Sequence, residues 1–111
     1  MERHFAKELE NNENFKGEHY EKALKETFLK MDELIISEAG QEEIRNIQRE
    51  MRERANGPNY EEPSHAGCTA NVVLITPQWI YCANSGDSRA VASVSKEAKA
   101  LSFDHKPEDQ K

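Results

Sequence analysis

The stretch Thr69-Ala70-Asn71-Val72-Val73-Leu74-Ile75-Thr76-Pro77-Gln78-Trp79-Ile80-Tyr81-Cys82-Ala83 decides the fold. Two runs of β-branched, aromatic and other apolar residues flank the turn signal Thr76-Pro77-Gln78, so strands are expected over Thr69–Ile75 and Trp79–Ala83. With Pro77-Gln78 as the loop, Ile75 opposes Ile80, Leu74 opposes Tyr81, Val73 opposes Cys82 and Val72 opposes Ala83. Side chains alternate along a strand, so one face carries Val73, Ile75, Ile80 and Cys82, and the other Val72, Leu74, Tyr81 and Ala83. Both faces are apolar, whereas an antiparallel sheet with one wet face alternates. This hairpin expects cover on both sides.

Downstream, Asn84-Ser85-Gly86-Asp87 reads as a turn, Arg89–Val94 as a third strand and Ser95-Lys96-Glu97 as a third turn. A short fourth strand over Lys99–Ser102 and a polar exit, Asp104-His105-Lys106-Pro107, complete an antiparallel meander. Upstream the period changes to that of helices. Residues 2–10 form a short candidate with Phe5 and Leu9 one turn apart, broken by Asn11-Asn12-Glu13-Asn14. A longer helix is expected from Glu18, with Gly17 as its cap and Tyr20, Leu24, Thr27/Phe28, Met31 and Leu34/Ile35 on one buried face; Gly40 ends the pattern. A thinner helix over 41–54 carries only Ile44, Ile47 and Met51 as its stripe, and 55–66 reads as loop. The fold class is therefore α+β: a helical part over 1–54, a loop or insertion over 55–66, and a β meander over 67–111. The helices can cover one face of the hairpin, and nothing in the chain supplies a second sheet for the other. The chain reads as part of a larger layered domain.

Composition bounds the function. The chain has 111 residues and a formal charge of -6, from 21 acids and 15 bases. That balance argues against nucleic acid held by phosphate contacts. Residues 67–111 hold five acids and five bases, so all the excess acidity lies in residues 1–66. No apolar run approaches the ~20 residues of a membrane span, and no signal-peptide core follows Met1. Cys68 and Cys82 are too few for a disulfide scaffold; they read as small buried thiols in a reducing compartment, cytoplasmic or nuclear. The histidines at 4, 19, 65 and 105 are scattered singly, and no zinc spacing, phosphate-cradling glycine loop or nucleophile triad is present.

The most informative local feature is Ser85-Gly86-Asp87-Ser88-Arg89 between two apolar strands. It has two readings. One is an ordinary turn, in which Gly-Asp supplies unusual dihedrals and a side chain that bonds its own backbone. The other is a carboxylate held at a strand end for a hard cation, since carboxylate oxygen suits magnesium and manganese.

Three blocks lift that ambiguity by resemblance. Gly67-Cys68-Thr69-Ala70, then Ala83-Asn84-Ser85-Gly86-Asp87-Ser88-Arg89-Ala90-Val91, then Leu101-Ser102-Phe103-Asp104-His105-Lys106-Pro107 together resemble the type 2C metal-dependent protein serine/threonine phosphatases. Ala23–Asp32 is similar to the family's helix before the first block, and residues 38–63 resemble it least. The motif residues carried over are Gly67, Thr69, Gly86, Asp87, Ser88, Arg89, Asp104 and His105; Cys68 departs from the usual serine.

The resemblance implies a layered α-β-β-α sandwich, which is the cover the two-faced hairpin requires. It implies hydrolysis of phosphoserine and phosphothreonine in phosphoprotein substrates, by a water that two Mg2+ or Mn2+ ions activate, without a covalent phosphoenzyme. Only Asp87 carries a metal role, as an accessory and weak ligand. Asp104 and His105 are read as a structural exit from the strand. The family's Asp-Gly-His segment and its later aspartates have no match here. The chain thus resembles an internal fragment, with no catalytic residue of its own, expected to be inactive alone. The alternative is a truncated, non-catalytic module that binds protein, with self-association through the uncovered sheet face.

Overall fold

The computed structural model describes residues 2–55 and 67–108, so the expected loop over 55–66 lies, but for its first residue, outside the described residues. The chain divides between residues 66 and 67 into two units. The first holds α1 (Glu2–Asn11), α2 (Glu13–Lys16), α3 (Tyr20–Ile36) and α4 (Glu38–Arg54); the second holds β1 (Ala70–Ile75), β2 (Ile80–Ser85), β3 (Val91–Val94) and β4 (Glu97–Ala100). The class is α+β.

In the helical unit the buried stripe of α3 is Ala23, Leu24, Thr27 and Met31, joined by Leu9 of α1. Thr27 is polar but satisfied, its hydroxyl donating to the Ala23 carbonyl at 2.8 Å. Phe5 meets Phe28 edge to face at 5.3 Å between ring centres, and Phe15 meets Tyr20 likewise at 5.4 Å. Asn12 caps α2 by accepting from the Asn14 and Phe15 N–H groups. Asn12 and Asn14 both donate to Glu26 of α3, which holds that carboxyl below its usual range.

Three boundaries differ from the sequence reading. Gly17 closes α2 rather than opening the long helix, which starts at Tyr20 after Glu18 takes a positive φ of 62°. The Asn11–Asn14 run does not simply break the chain: its last two residues open the short helix α2. Gly40 does not end the long helix; the break falls at Ser37, which terminates α3 and begins α4. Ser37 does both because its hydroxyl donates to the Leu34 carbonyl and accepts from the Gly40 N–H. Gly40 is needed for close approach: a Cβ there would run into the Leu34 carbonyl. On α4 Ile44 is half-buried while Ile47 and Met51 are exposed, and no residue of that helix is buried.

In the second unit β1 and β2 pair antiparallel in the register expected, from Ile75 opposite Ile80 to Val72 opposite Ala83, and on to Asn71 opposite Asn84 and Ala70 opposite Ser85. The Thr76 N–H and hydroxyl both donate to the Trp79 carbonyl and close the turn. The expected single meander is not formed. The described strands make two separate two-stranded sheets, β1–β2 and β3–β4. The cause lies in residues 86–90, which bond to residues 101–105 instead of turning back along β2: Leu101 N–H donates to the Ala90 carbonyl and His105 N–H to the Gly86 carbonyl. The second hairpin is also tighter than expected. Val94 pairs with Glu97 across Ser95 and Lys96, at φ of 52° and 69°, so the fourth strand is Glu97–Ala100.

Candidate functional site: the clasp around Gly86

Gly86 lies one residue past β2 with φ of 114°, a conformation glycine adopts at little cost. Thr69, just before β1, lies directly beneath it, and a Cβ at Gly86 would stand 2.5 Å from the Thr69 methyl. The Thr69 hydroxyl pairs with that of Ser88 at 2.6 Å. From the other side His105 holds both backbone groups of Gly86. Its Nδ1 accepts from the Gly86 N–H at 3.2 Å, and its own N–H donates to the Gly86 carbonyl at 2.8 Å. Arg89 grips Asp104 with two hydrogen bonds, Nε to Oδ1 at 2.9 Å and a terminal nitrogen to Oδ2 at 2.7 Å. This fork holds the Asp104 carboxyl below its usual range and raises the guanidinium further.

A polar string that sequence reasoning did not single out completes the clasp. Asn84 Nδ2 donates to both the Gly86 and the Phe103 carbonyls. Asn71 Nδ2 donates to Asn84 Oδ1 and to Ser102 Oγ, which also accepts from the Ala90 N–H. Ser102 is one of the two buried polar residues among those described. The signal available was two asparagines set directly opposite each other inside apolar strands, where β propensity disfavours them.

The structure therefore brings together Thr69, Gly86, Ser88, Arg89, Asp104 and His105, and all three sequence blocks meet around one turn. Gly67 is exposed, and a Cβ there would meet nothing within 4 Å. Asp87, the candidate ligand, is exposed and its carboxylate takes no hydrogen bond or ion pair among the described residues. Asp104 and His105 are occupied by Arg89 and Gly86. Among the described residues no group of three or more His, Cys, Asp or Glu gathers as metal ligands. These residues thus do not by themselves fit a metal centre; a single exposed carboxylate replaces a cation's waters poorly. Cys68 is exposed and Cys82 half-buried, so neither is the buried thiol expected.

The apolar hairpin beside the clasp has one open face: Val73, Ile75 and Ile80 are 43%, 73% and 55% exposed. No helix among the described residues is long and apolar enough to cross a membrane.

The family model described as Protein phosphatase 2C matches residues 1–111. The chain is 45% identical over 109 residues to "Probable protein phosphatase 2C 4" of Paramecium tetraurelia, covering 98% of this chain and 33% of that protein. It is 44% identical over 109 residues to "Protein phosphatase 2C 1" of the same organism, with the same coverage. It is 40% identical over 96 residues to "Protein phosphatase 2C homolog 2" of Hypocrea jecorina, covering 86% of this chain and 17% of that protein. The chain spans about a third of the length of the first two relatives. No solved structure matches the chain significantly.

Proposed function

The chain belongs to the protein phosphatase 2C family, and from that premise we propose that it is an internal segment of a metal-dependent protein serine/threonine phosphatase. The whole protein hydrolyses phosphoserine and phosphothreonine in phosphoprotein substrates, and this segment alone is inactive. What supports the reading is the clasp: three separated blocks close on Gly86 and leave the neighbouring Asp87 carboxylate exposed, with no partner among the described residues. In this proposal Asp87 lends one weak carboxylate to Mg2+ or Mn2+ beside a centre held by other segments. The two apolar faces of the β1–β2 hairpin lie within a layered α-β-β-α sandwich of the whole domain. The compartment is the cytoplasm or nucleus, where Cys68 and Cys82 stay reduced.

The test is manganese-dependent hydrolysis of a chromogenic phosphate ester, with a chelator control. This chain is compared with a protein extended to the length of its relatives. Activity in the longer protein alone is expected. Activity in the short chain would contradict the inactive-segment reading.

Silence in both would favour a second reading, a non-catalytic module that binds protein or self-associates. The observation on its side is the open face of Val73, Ile75 and Ile80. Sedimentation of the chain as a monomer across a wide concentration range would remove self-association through that face.

A further inference from the structure

We propose that His105 is a positioning residue for the turn that presents Asp87, acting through a neutral imidazole whose Nδ1 accepts from the Gly86 N–H; its functional half rests on the phosphatase reading above. Gly86 sits at φ of 114°, a conformation that must be held by its surroundings rather than by local preference. Both of its backbone groups go to one residue: the N–H to His105 Nδ1 at 3.2 Å, the carbonyl to the His105 N–H at 2.8 Å. Asn84 Nδ2 reinforces the carbonyl at 3.0 Å, and the Thr69 side chain blocks the turn from settling inward. Among the described residues no other acceptor reaches the Gly86 N–H, so within this unit the imidazole is what pairs that donor. An imidazole nitrogen accepts only when it carries no proton, which places the ring hydrogen on Nε2. The direction in which Asp87 leaves the turn follows from the orientation of the Gly86 peptide, and His105 fixes that orientation.

The chemistry separates two conservative variants. In His105→Asn the Oδ1 atom occupies the branch position of Nδ1 and keeps an acceptor there. His105→Gln sets its oxygen one bond farther out, in the place of Nε2. Both keep the backbone N–H that bonds the Gly86 carbonyl, so neither removes the whole clasp.

Nitrogen NMR of the chain should show the Nε2–H tautomer at His105. Amide exchange at Gly86 should stay near wild type in His105→Asn and rise about tenfold in His105→Gln, the loss expected for one hydrogen bond. In the protein extended to the length of its relatives, His105→Gln should raise the Mn2+ concentration for half-maximal turnover of a phosphopeptide, and His105→Asn should not. An Nδ1–H tautomer, or equal Gly86 exchange in the two variants, would overturn the clasp. An equal Mn2+ requirement in the two would overturn the positioning role. Wild-type protein without turnover but with the expected exchange pattern would uphold the clasp and sink the phosphatase reading instead.

Discussion

The two units of this chain are stabilised by opposite means. In the helical unit apolar burial dominates: Leu9, Ala23, Leu24 and Met31 are almost fully removed from water, and its ion pairs, such as Lys25 with Glu21, sit on the surface. Among the described residues of the second unit Ser102 alone is buried, while Val73, Ile75, Trp79, Ile80, Val91, Val94 and Phe103 are all exposed. Its long-range order comes from directional bonds: Asn71, Asn84, Ser102, Arg89–Asp104 and His105–Gly86. The lesson is about tolerance. A packed stripe accepts any side chain of similar shape and volume, whereas a hydrogen-bonded clasp accepts only donors and acceptors at fixed places. Function that needs one carboxylate held in one direction is better served by the clasp.

Four substitutions or conditions test that contrast. Leu24→Ala should have the largest effect, costing the helical unit about 2–5 kcal/mol and lowering the melting of its helical circular dichroism. A loss too small to measure would mean that α3 is not held by its stripe. Gly86→Ala comes next. The left-handed backbone costs ~1–2 kcal/mol, and driving a methyl into Thr69 costs ~1–3 kcal/mol more. Adding Thr69→Ser removes the nearest methyl but leaves the Cβ that would stand 2.7 Å away, so it should restore a minor part of the loss in a denaturant melt. A full rescue would show that the backbone at Gly86 carries no strain.

Ser102→Ala should cost about 1–3 kcal/mol, since it strips the acceptor from both the Ala90 N–H and Asn71 Nδ2. A neutral result would show that the polar string is decoration. The smallest effect is expected from acid. Arg89 holds the folded Asp104 carboxyl below its ordinary value of about 3.9. A depressed carboxyl stabilises the fold above that ordinary value, and the contribution is lost as pH falls through the lowered one. Asp104→Asn should therefore flatten the acid limb of amide dispersion in the second unit. An unchanged acid limb would remove Asp104 from the account. Glu26, held low by Asn12 and Asn14, gives the helical unit an acid limb of the same sign.

Much of this was legible in the residues. The register of β1 against β2 followed from Pro77-Gln78 and the alternation around it, because a one-residue slip would exchange the two faces. Leu24, Thr27 and Met31 of the α3 stripe followed from its spacing, whereas Ala23, fully buried, was not in the expected face and Ile35, which was, is exposed. The break at Ser37 was not legible. Glycine usually marks a helix end, and here Gly40 serves close approach inside α4 while a serine hydroxyl makes the corner. The turn at Ser95-Lys96-Glu97 was expected, but not its two-residue form, because Ser95 and Lys96 take positive φ without being glycine or asparagine. Of the site, the residues that meet were named by family resemblance, which says which residues recur and not how they bond. Asp104 and His105 read as a structural exit from the strand; the structure shows their bonds to Arg89 and Gly86. Asn71, Asn84 and Ser102 were not singled out: the opposed asparagines left a sign in the sequence, but the bond to Ser102 across 31 residues leaves no periodic trace.

The most direct test of the central claim is residue-resolved amide exchange across 67–108. If directional bonds hold the second unit, the amides of Ala90, Leu101 and His105 should be at least as protected as those of the β1–β2 ladder toward Ile75 and Ile80. Protection confined to the apolar hairpin, with those three amides exchanging at the rate of unfolded chain, would contradict it.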